Sequence, residues 1–351
     1  MSLTFASFLG SLKCDLQLLI TVVLTLGVIT VNGWTDAPNA IASAVVTRAL
    51  KPKTAVLTAA VMNFFGVFLT SSVNYEVAKT VYSIADFGSS LQSARTALAA
   101  AMTAVVLWAV AAWCFGIPTS ESHALIAGIT GASVSLHGSF SGVSAYEWGK
   151  VLSGLFLSSV LGFFCGFIIS RAVVRVFSGV RRKKANSFFD RCEIVVAAAT
   201  AFFHGAQDGQ KFIGMMLLCI SFSNGGILEK PAGVPFFLVV ICSVFMASGT
   251  AMGGKKIIKS VGMDMASLEK YQGFSSDAAS VLSLLFSTVF GFPVSTTHVK
   301  TTAVMGVAAA RGIKNVNWKV AQNMLVAWTV TFPACFLLSF VVTKFYFIIF
   351  L

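Results

Sequence analysis

Residues 291–298 read GFPVSTTH, and residues 116–123 read the related sequence GIPTSESH. The two copies lie 175 positions apart. A second pair of motifs, NGWTD at 32–36 and HGAQD at 204–208, is 172 positions apart. Because two unrelated motifs share nearly one spacing, the sequence predicts that the chain consists of two copies of one ancestral half.

Apolar residues make up 56% of the 351 residues, charged residues make up 11%, and the mean hydropathy is +0.85. These values exclude an ordinary soluble domain. Uncharged runs of about the length that spans a bilayer, roughly 20 residues, recur along the chain. They are 16–35, 54–75, 96–120, 122–146, 151–170, 231–254, 278–299 and 320–343. The sequence therefore predicts an all-α polytopic membrane protein in a lipid bilayer.

The positive charges are concentrated in four segments, which hold 17 of the 25 Lys and Arg residues. They are Arg48, Lys51 and Lys53; Arg171, Arg175, Arg181, Arg182, Lys183, Lys184 and Arg191; Lys255, Lys256, Lys259 and Lys270; and Arg311, Lys314 and Lys319. The positive-inside rule assigns all four to the cytoplasmic side. The net charge of +12 then reflects topology, and no nucleic-acid partner is predicted. Both termini are expected outside the plasma (inner) membrane, and the basic loop 171–191 in the cytoplasm.

The same topology turns the second half upside down relative to the first. We predict inverted repeats at 1–185 and 186–351, which together build one structural unit. Each repeat is expected to contain a broken helix and a re-entrant helical hairpin, with hairpin tips at 116–123 and 291–298. Inverted repeats with interrupted helices at their interface are typical of secondary transporters.

Asp36 and Asp208 occupy equivalent places within apolar stretches of the two halves. An ionisable group at the bilayer centre costs on the order of 3 kcal/mol or more, so such residues usually have a function. Gly33 and Pro38 flank Asp36, and glycines flank Asp208, so we expect a helix break at each acid. The alternative is that each aspartate caps a half-helix or pairs with a lysine. An acid repeated at the same place in both halves favours a binding site.

The hairpin tips carry hydroxyl groups at the predicted start of a helix. The candidates are Ser120, Ser122, Ser295, Thr296 and Thr297. Free N–H groups at a helix N-terminus, together with hydroxyls, form a neutral cradle for an oxyanion. The alternative is ordinary helix capping, for which Ser and Thr are preferred. Two symmetry-related tips that meet near the membrane midplane favour anion binding.

Glu121 stands where the second copy has Thr296, so an acid breaks the symmetry of the tips. Ligation of a cation, transfer of a proton and pairing with a basic side chain all remain open for it. The sequence contains no GxGxxG motif, P-loop or zinc-spaced His and Cys set, so ATP-driven transport and metal catalysis lack a basis. The Ser and His residues of the tips occur in duplicated motifs, which fits binding better than a single nucleophile. Neither an enzyme nor a cofactor is predicted.

The motifs resemble those of a known family along essentially the whole chain. The sequence NGWTDAPNAIA at 32–42 resembles the GANDVANA-type signature of the PiT inorganic phosphate transporters, and HGAQDGQKFIG at 204–214 resembles its second copy. PVSTTH at 293–298 and PTSESH at 118–123 resemble the paired hairpin tips of that family. The resemblance implies a symporter in which the signature acids and the tip hydroxyls form the phosphate and cation sites.

For individual residues, the resemblance implies that Asp36, Asn39 and Asp208 belong to these sites. Thr35 and Gln207 occupy the signature's asparagine positions, and we expect Thr35 at the cation site, together with Glu121, and Gln207 at the phosphate site. Lys211 occupies a later asparagine position of the second copy. This change leaves the number and identity of the coupled cations open, because a lysine there can act as a built-in positive charge.

Secondary active import of inorganic phosphate is the function that the sequence favours. Sodium is favoured over the proton as the coupling ion, because Asp36 and Asn39 retain oxygen ligands that suit a hard cation. A sulfate permease of the same fold is the alternative, and an anion channel is a more distant one. Protonated phosphate oxygens can donate to a carboxylate whereas sulfate cannot, so acids near the anion favour phosphate. A homodimer is among the assemblies that the sequence leaves open.

Overall fold

The computed structural model describes residues 4–88, 90–115, 120–223, 233–264 and 268–351, and in these ranges every regular element is a helix. The α-helices are α1 Phe5–Cys14, α2 Leu16–Thr35, α3 Ala37–Val46, α4 Pro52–Val73, α5 Glu76–Tyr82, α6 Leu91–Phe115, α7 Glu121–His137, α8 Ala145–Val176, α9 Arg182–Ser223, α10 Phe236–Asp264, α11 Lys270–Val289, α12 Thr296–Arg311 and α13 Trp318–Phe350. Two short 3₁₀-helices lie at Phe140–Gly142 and Ile313–Asn315. The all-α prediction is confirmed.

Six helical segments in the described ranges are long and apolar enough to cross a membrane. They are Leu16–Val46, Pro52–Val73, Leu91–Ala112, Ala145–Val176, Phe236–Gly253 and Trp318–Phe350. Many of their large apolar side chains face outward, as expected where lipid is the solvent. The protein is therefore a multi-pass membrane protein.

The predicted interruption at Asp36 is present and is confined to that residue. Helix α2 ends at Thr35, and α3 begins at Ala37. Pro38 lies in the first turn of α3 and has no N–H group, so it cannot continue the hydrogen-bond ladder of α2. This is why the chain is interrupted beside the acid.

The predicted interruption at Asp208 is wrong, because α9 runs without a break for 42 residues from Arg182 to Ser223. Gln210 stands at the position equivalent to Pro38 and keeps its N–H group, so the ladder continues. The glycines have another role. A Cβ at Gly205 would overlap the backbone of Asn63, and a Cβ at Gly209 would overlap a side chain on α4. These glycines therefore allow α4 and α9 to pack closely.

The basic segment 171–191 is also less of a loop than predicted. Helix α8 extends to Val176 and α9 begins at Arg182, so only residues 177–181 connect them. Lys and Arg are good helix formers in water, which explains why both helices continue beyond the apolar runs.

Helix α9 lies at the centre of the molecule and packs against α2, α3, α4, α5, α10 and α11. Two helical pairs also pack together, α6 with α7 and α11 with α12. We call these pairs hairpin 1 and hairpin 2. Helix α7 packs on α13, and α12 packs on α8, so each hairpin contacts a long helix from the other half of the sequence. The largest buried apolar cluster surrounds hairpin 1 and includes Leu98, Met102, Leu125, Ile126, Phe212 and Ile213.

Candidate functional site

The start of α12 lies against both repeated acids. Thr297 donates a hydrogen bond to Asp36 Oδ1 at 3.2 Å, and Asn39 Nδ2 donates to Thr297 Oγ1 at 3.0 Å. Thr296 donates to Asp208 Oδ2 at 3.1 Å. Five residues from distant parts of the sequence, all of them predicted site residues, thus meet at the tip of hairpin 2.

The start of α7 reaches the same place from hairpin 1. Lys211 Nζ donates to Ser122 Oγ at 2.7 Å and to Asp208 Oδ1 at 2.6 Å. Thr35 donates to Glu121 Oε1 at 2.9 Å. The two hairpins also touch each other, because the rings of His123 and His298 have centroids 5.3 Å apart. The predicted meeting of the tips is therefore present.

The helix N-termini at the tips lack side-chain caps. Ser120 and Ser295 hold the N-cap positions of α7 and α12, and neither side chain makes a capping hydrogen bond. Both serines are buried. The predicted tip residues 116–119 lie outside the described residues, so hairpin 1 is described at its tip from Ser120 onward. The alternative, ordinary helix capping by these two serine side chains, is therefore not observed.

Gln207 supports the turn of hairpin 2. Its Nε2 donates to Thr288 Oγ1 at 3.2 Å and to the carbonyl oxygen of Phe292 at 3.1 Å. The N–H group of Val294 lies 3.5 Å from Gln207 Oε1, at the limit of a hydrogen bond. The amide of Gln207 therefore fixes the backbone that leads into Ser295 and Thr296.

Two side chains of α9, a lysine and a histidine, place nitrogen atoms beside Asp208. Lys211 follows it by three positions, and His204 Nε2 precedes it in the chain and lies 3.2 Å from Asp208 Oδ2. The exposed fraction of each of these side chains is at most 2%. Positions i, i+3 and i+4 share one face of a helix, so this cluster is built into the local geometry of α9.

Unpartnered oxygens lie on the other side of the site, near Asp36. Asn32 Nδ2 donates to Asp36 Oδ2 at 3.2 Å. Asn32 Oδ1 and Glu121 Oε2 are buried, and neither has a hydrogen-bond partner among the described residues. Buried polar atoms are normally satisfied, so these two oxygens beside a carboxylate have unused capacity to accept a proton or to ligate a cation.

Sequence reasoning did not identify Asn32, His204 and Asn63 as site residues. His204 Nδ1 lies 3.1 Å from Asn63 Oδ1, and Asn63 Nδ2 donates to Thr250 at 3.0 Å. Asn32 and His204 each begin a duplicated motif and precede the acid by four positions, which is the signal that could have identified them. Asn63 lies outside the motifs and offers no such signal.

Comparison with known proteins gives a consistent result. Residues 32–339 match the model of the phosphate transporter family. A probable low-affinity inorganic phosphate transporter of Bacillus subtilis is 33% identical over 322 residues, which cover 91% of this chain and 95% of that protein. A protein of the same description from Rhizobium meliloti is 36% identical over 309 residues, covering 88% of this chain and 90% of that protein.

A solved structure described as the sodium-dependent phosphate transporter has the same fold. Its TM-score is 0.82 at 22% sequence identity, and the match covers 95% of this chain and all of the other. Sequence family and fold agree over nearly the whole length. The chain therefore belongs to the PiT phosphate transporter family.

Proposed function

We propose that this protein imports inorganic phosphate by symport with sodium, at a site enclosed between the tips of hairpins 1 and 2. The observation that carries the proposal is the convergence of both tips on the two repeated acids. Thr296 and Thr297 bond to Asp208 and Asp36, and Ser122 bonds to Lys211. One enclosed site is the arrangement that alternating access requires.

The chemistry of the tips suits phosphate. The hydroxyls of Ser120, Ser122, Ser295, Thr296 and Thr297 can donate to phosphate oxygens, and the uncapped helix starts add N–H donors. A protonated phosphate oxygen can in turn donate to the carboxylate of Asp36 or Asp208. Gln207 contributes by holding the turn in front of Ser295. Sulfate has no proton to donate, so the same acids would disfavour it.

The chemistry around Asp36 suits a hard cation. Carboxylate, amide and hydroxyl oxygens of Asp36, Glu121, Asn32, Asn39 and Thr35 surround this part of the site, and such oxygens are the ligands that sodium takes. Phosphate is anionic, and each net charge that enters against an inside-negative potential costs about 2.3 kcal/mol per 100 mV. A cation that binds beside the anion offsets this cost and couples the two movements.

The lengths of the tip helices favour inverted repeats with re-entrant hairpins. At 1.5 Å per residue, α7 and α12, with 17 and 16 residues, are about 26 and 24 Å long, which is shorter than a hydrocarbon core of about 30 Å. We propose that both enter the membrane and return to the face from which their hairpin came.

Equivalent glycines support the same assignment of repeats 1–185 and 186–351. A Cβ at Gly131 on α7 would overlap the carbonyl oxygen of Phe336, and a Cβ at Gly306 on α12 would overlap that of Phe163. The two glycines lie 175 positions apart, as the tips do. With the positive-inside rule, the basic segment 171–191 lies in the cytoplasm and both termini lie outside.

Uptake into liposomes tests the function. Purified protein is reconstituted, and the accumulation of radiolabelled phosphate and sulfate is measured under an inward sodium gradient and, separately, an inward proton gradient. We expect concentrative phosphate uptake driven by sodium. Uptake of sulfate in preference to phosphate, uptake driven only by protons, or single-channel currents would each contradict the proposal.

A further inference from the structure

Lys211 stands in the second repeat where Asn39 stands in the first. Each follows its repeated acid by three positions. Each also forms a hydrogen bond with a hydroxyl at a hairpin tip: Asn39 with Thr297, and Lys211 with Ser122. Ser122 and Thr297 occupy the same position in the two copies of the tip motif. The contact is thus made twice, once by a neutral amide and once by an ammonium group.

The surroundings of the Lys211 ammonium group resemble the ligand shell of a metal cation. Its Nζ donates to Asp208 Oδ1 at 2.6 Å, to Ser122 Oγ at 2.7 Å and to the carbonyl oxygen of Val294. A carboxylate, a hydroxyl and a backbone carbonyl from three separate segments converge on one positive charge that is 1% exposed. Oxygens of these three kinds are the ligands that hard cations prefer.

The two repeats differ in how their acids are neutralised. Asp208 forms an ion pair with Lys211. Within the described part of the chain, Asp36 and Glu121 have no ion pair with Lys or Arg, although both lie close to the same tips. A buried carboxylate without a counter-charge is costly, so the first repeat needs a mobile cation and the second does not.

We propose that Lys211 is a tethered cation. Its ammonium group occupies the position at Asp208, which is the equivalent in the second repeat of the cation position at Asp36. The position at Asp36 takes a mobile monovalent cation, and the position at Asp208 takes none. The transporter then moves one cation fewer per phosphate than two open positions would require. This inference rests on the proposed function, and it assigns the coupling ratio to one residue.

The variant Lys211→Asn tests the proposal, because it gives the second repeat the residue that the first repeat has. Wild type and variant are reconstituted in liposomes under a tenfold inward sodium gradient with the membrane potential clamped at zero. Each further coupled sodium adds about 1.4 kcal/mol, which is a tenfold increase in the ratio of phosphate inside to outside. We expect the limiting ratio of the variant to exceed that of the wild type about tenfold.

An active Lys211→Asn variant with the wild-type accumulation ratio would overturn the proposal. A failure of the proposed function would look different, because the wild type itself would then not accumulate phosphate under the sodium gradient. The limiting ratio is an equilibrium quantity, so a slower variant still gives an answer.

A second readout does not depend on transport. The melting temperature of purified protein is measured in sodium chloride and in choline chloride of equal concentration. Sodium that binds at the vacated position stabilises the folded state, so the Lys211→Asn variant should gain more from sodium than the wild type. The double variant Asp208→Asn with Lys211→Asn carries neither charge and should gain no more than the wild type. An equal gain in wild type and Lys211→Asn, or failure to recover the single variant folded even at high sodium, would overturn the proposal.

Discussion

Thr297 donates its hydroxyl hydrogen to Asp36 although 261 positions of sequence separate the two residues. The bond joins the second copy of the tip motif to the first copy of the acid motif. Thr296, its neighbour, bonds instead to the acid of its own half. The tip of hairpin 2 therefore contacts both acids. Substitutions at the tip and at each acid should have distinguishable effects on transport and stability.

Thr297→Ala should raise the apparent KM for phosphate. A hydrogen bond to a charged group contributes about 1.5–3 kcal/mol, which corresponds to roughly a ten- to hundredfold change in affinity. Initial rates of phosphate uptake in liposomes measure the effect. Thr301→Ala is the matched control, since Thr301 lies one turn later on α12 and its hydroxyl bonds to the carbonyl of Thr297. An unchanged KM with a lowered melting temperature would indicate that Thr297 serves only the fold.

The two repeated aspartates should respond differently to the same change. Asp208→Asn leaves the buried Lys211 without its acid, and breaking a buried ion pair costs about 3–5 kcal/mol. Asp36 has no lysine partner in the described structure, so Asp36→Asn should keep its thermal stability and lose sodium-driven accumulation. Thermal unfolding in detergent and uptake in liposomes check the pair of variants. Equal melting temperatures for both would contradict this difference.

Glu121→Gln should raise the sodium concentration that gives half-maximal phosphate uptake, because the carboxylate beside Asp36 becomes a neutral amide. The pH profile of uptake should stay as it is in the wild type. Titrations of uptake against sodium and against pH measure both quantities. Glu147→Gln is the control, since Glu147 is an acid of α8 that forms an ion pair with Lys150 and is not a candidate site residue. Loss of the pH dependence with unchanged sodium sensitivity would make Glu121 a proton carrier instead.

Gly306→Ala should destabilise the protein, because the added methyl group meets the backbone of Phe163 on α8. Overpacking of this kind typically costs about 1–3 kcal/mol. Gly149→Ala is the matched control: Gly149 also lies in a helix, but nothing lies within 4 Å of its added Cβ. The control should unfold at the wild-type temperature or slightly above it. A melting temperature for Gly306→Ala equal to that of the control would show that α8 and α12 separate easily.

The sequence predicted the membrane class, the meeting of the tips and the interruption at Asp36. These features depend on composition, on repeated motifs and on Pro38, all of which can be read from the sequence without knowledge of the tertiary contacts. The continuity of α9 was not predicted, because glycines beside an acid are compatible with a broken helix and also with close packing. Only the presence of α4 against Gly205 and Gly209 decides between them.

The same limit applies to the polar partners of the site. Asn63 contacts His204 although 141 positions separate them, and no spacing in the sequence predicts this contact. The short helices α1 and α5 were also missed, since neither contains an uncharged run long enough to span a membrane. Function could be approached from the sequence because the candidate site residues lie in duplicated motifs, whereas Asn63, which supports them, does not.

The unbroken course of α9 has a mechanical consequence. At 1.5 Å per residue its 42 residues measure about 63 Å, whereas a bilayer with its headgroups is about 40–45 Å thick. The helix is therefore longer than a bilayer is thick, and it joins exposed basic residues at its start to the buried Asp208 on one continuous element. No proline interrupts α9, so Asp208 and Lys211 are connected to its basic start through one continuous helix, and a tilt of that start would move both residues together.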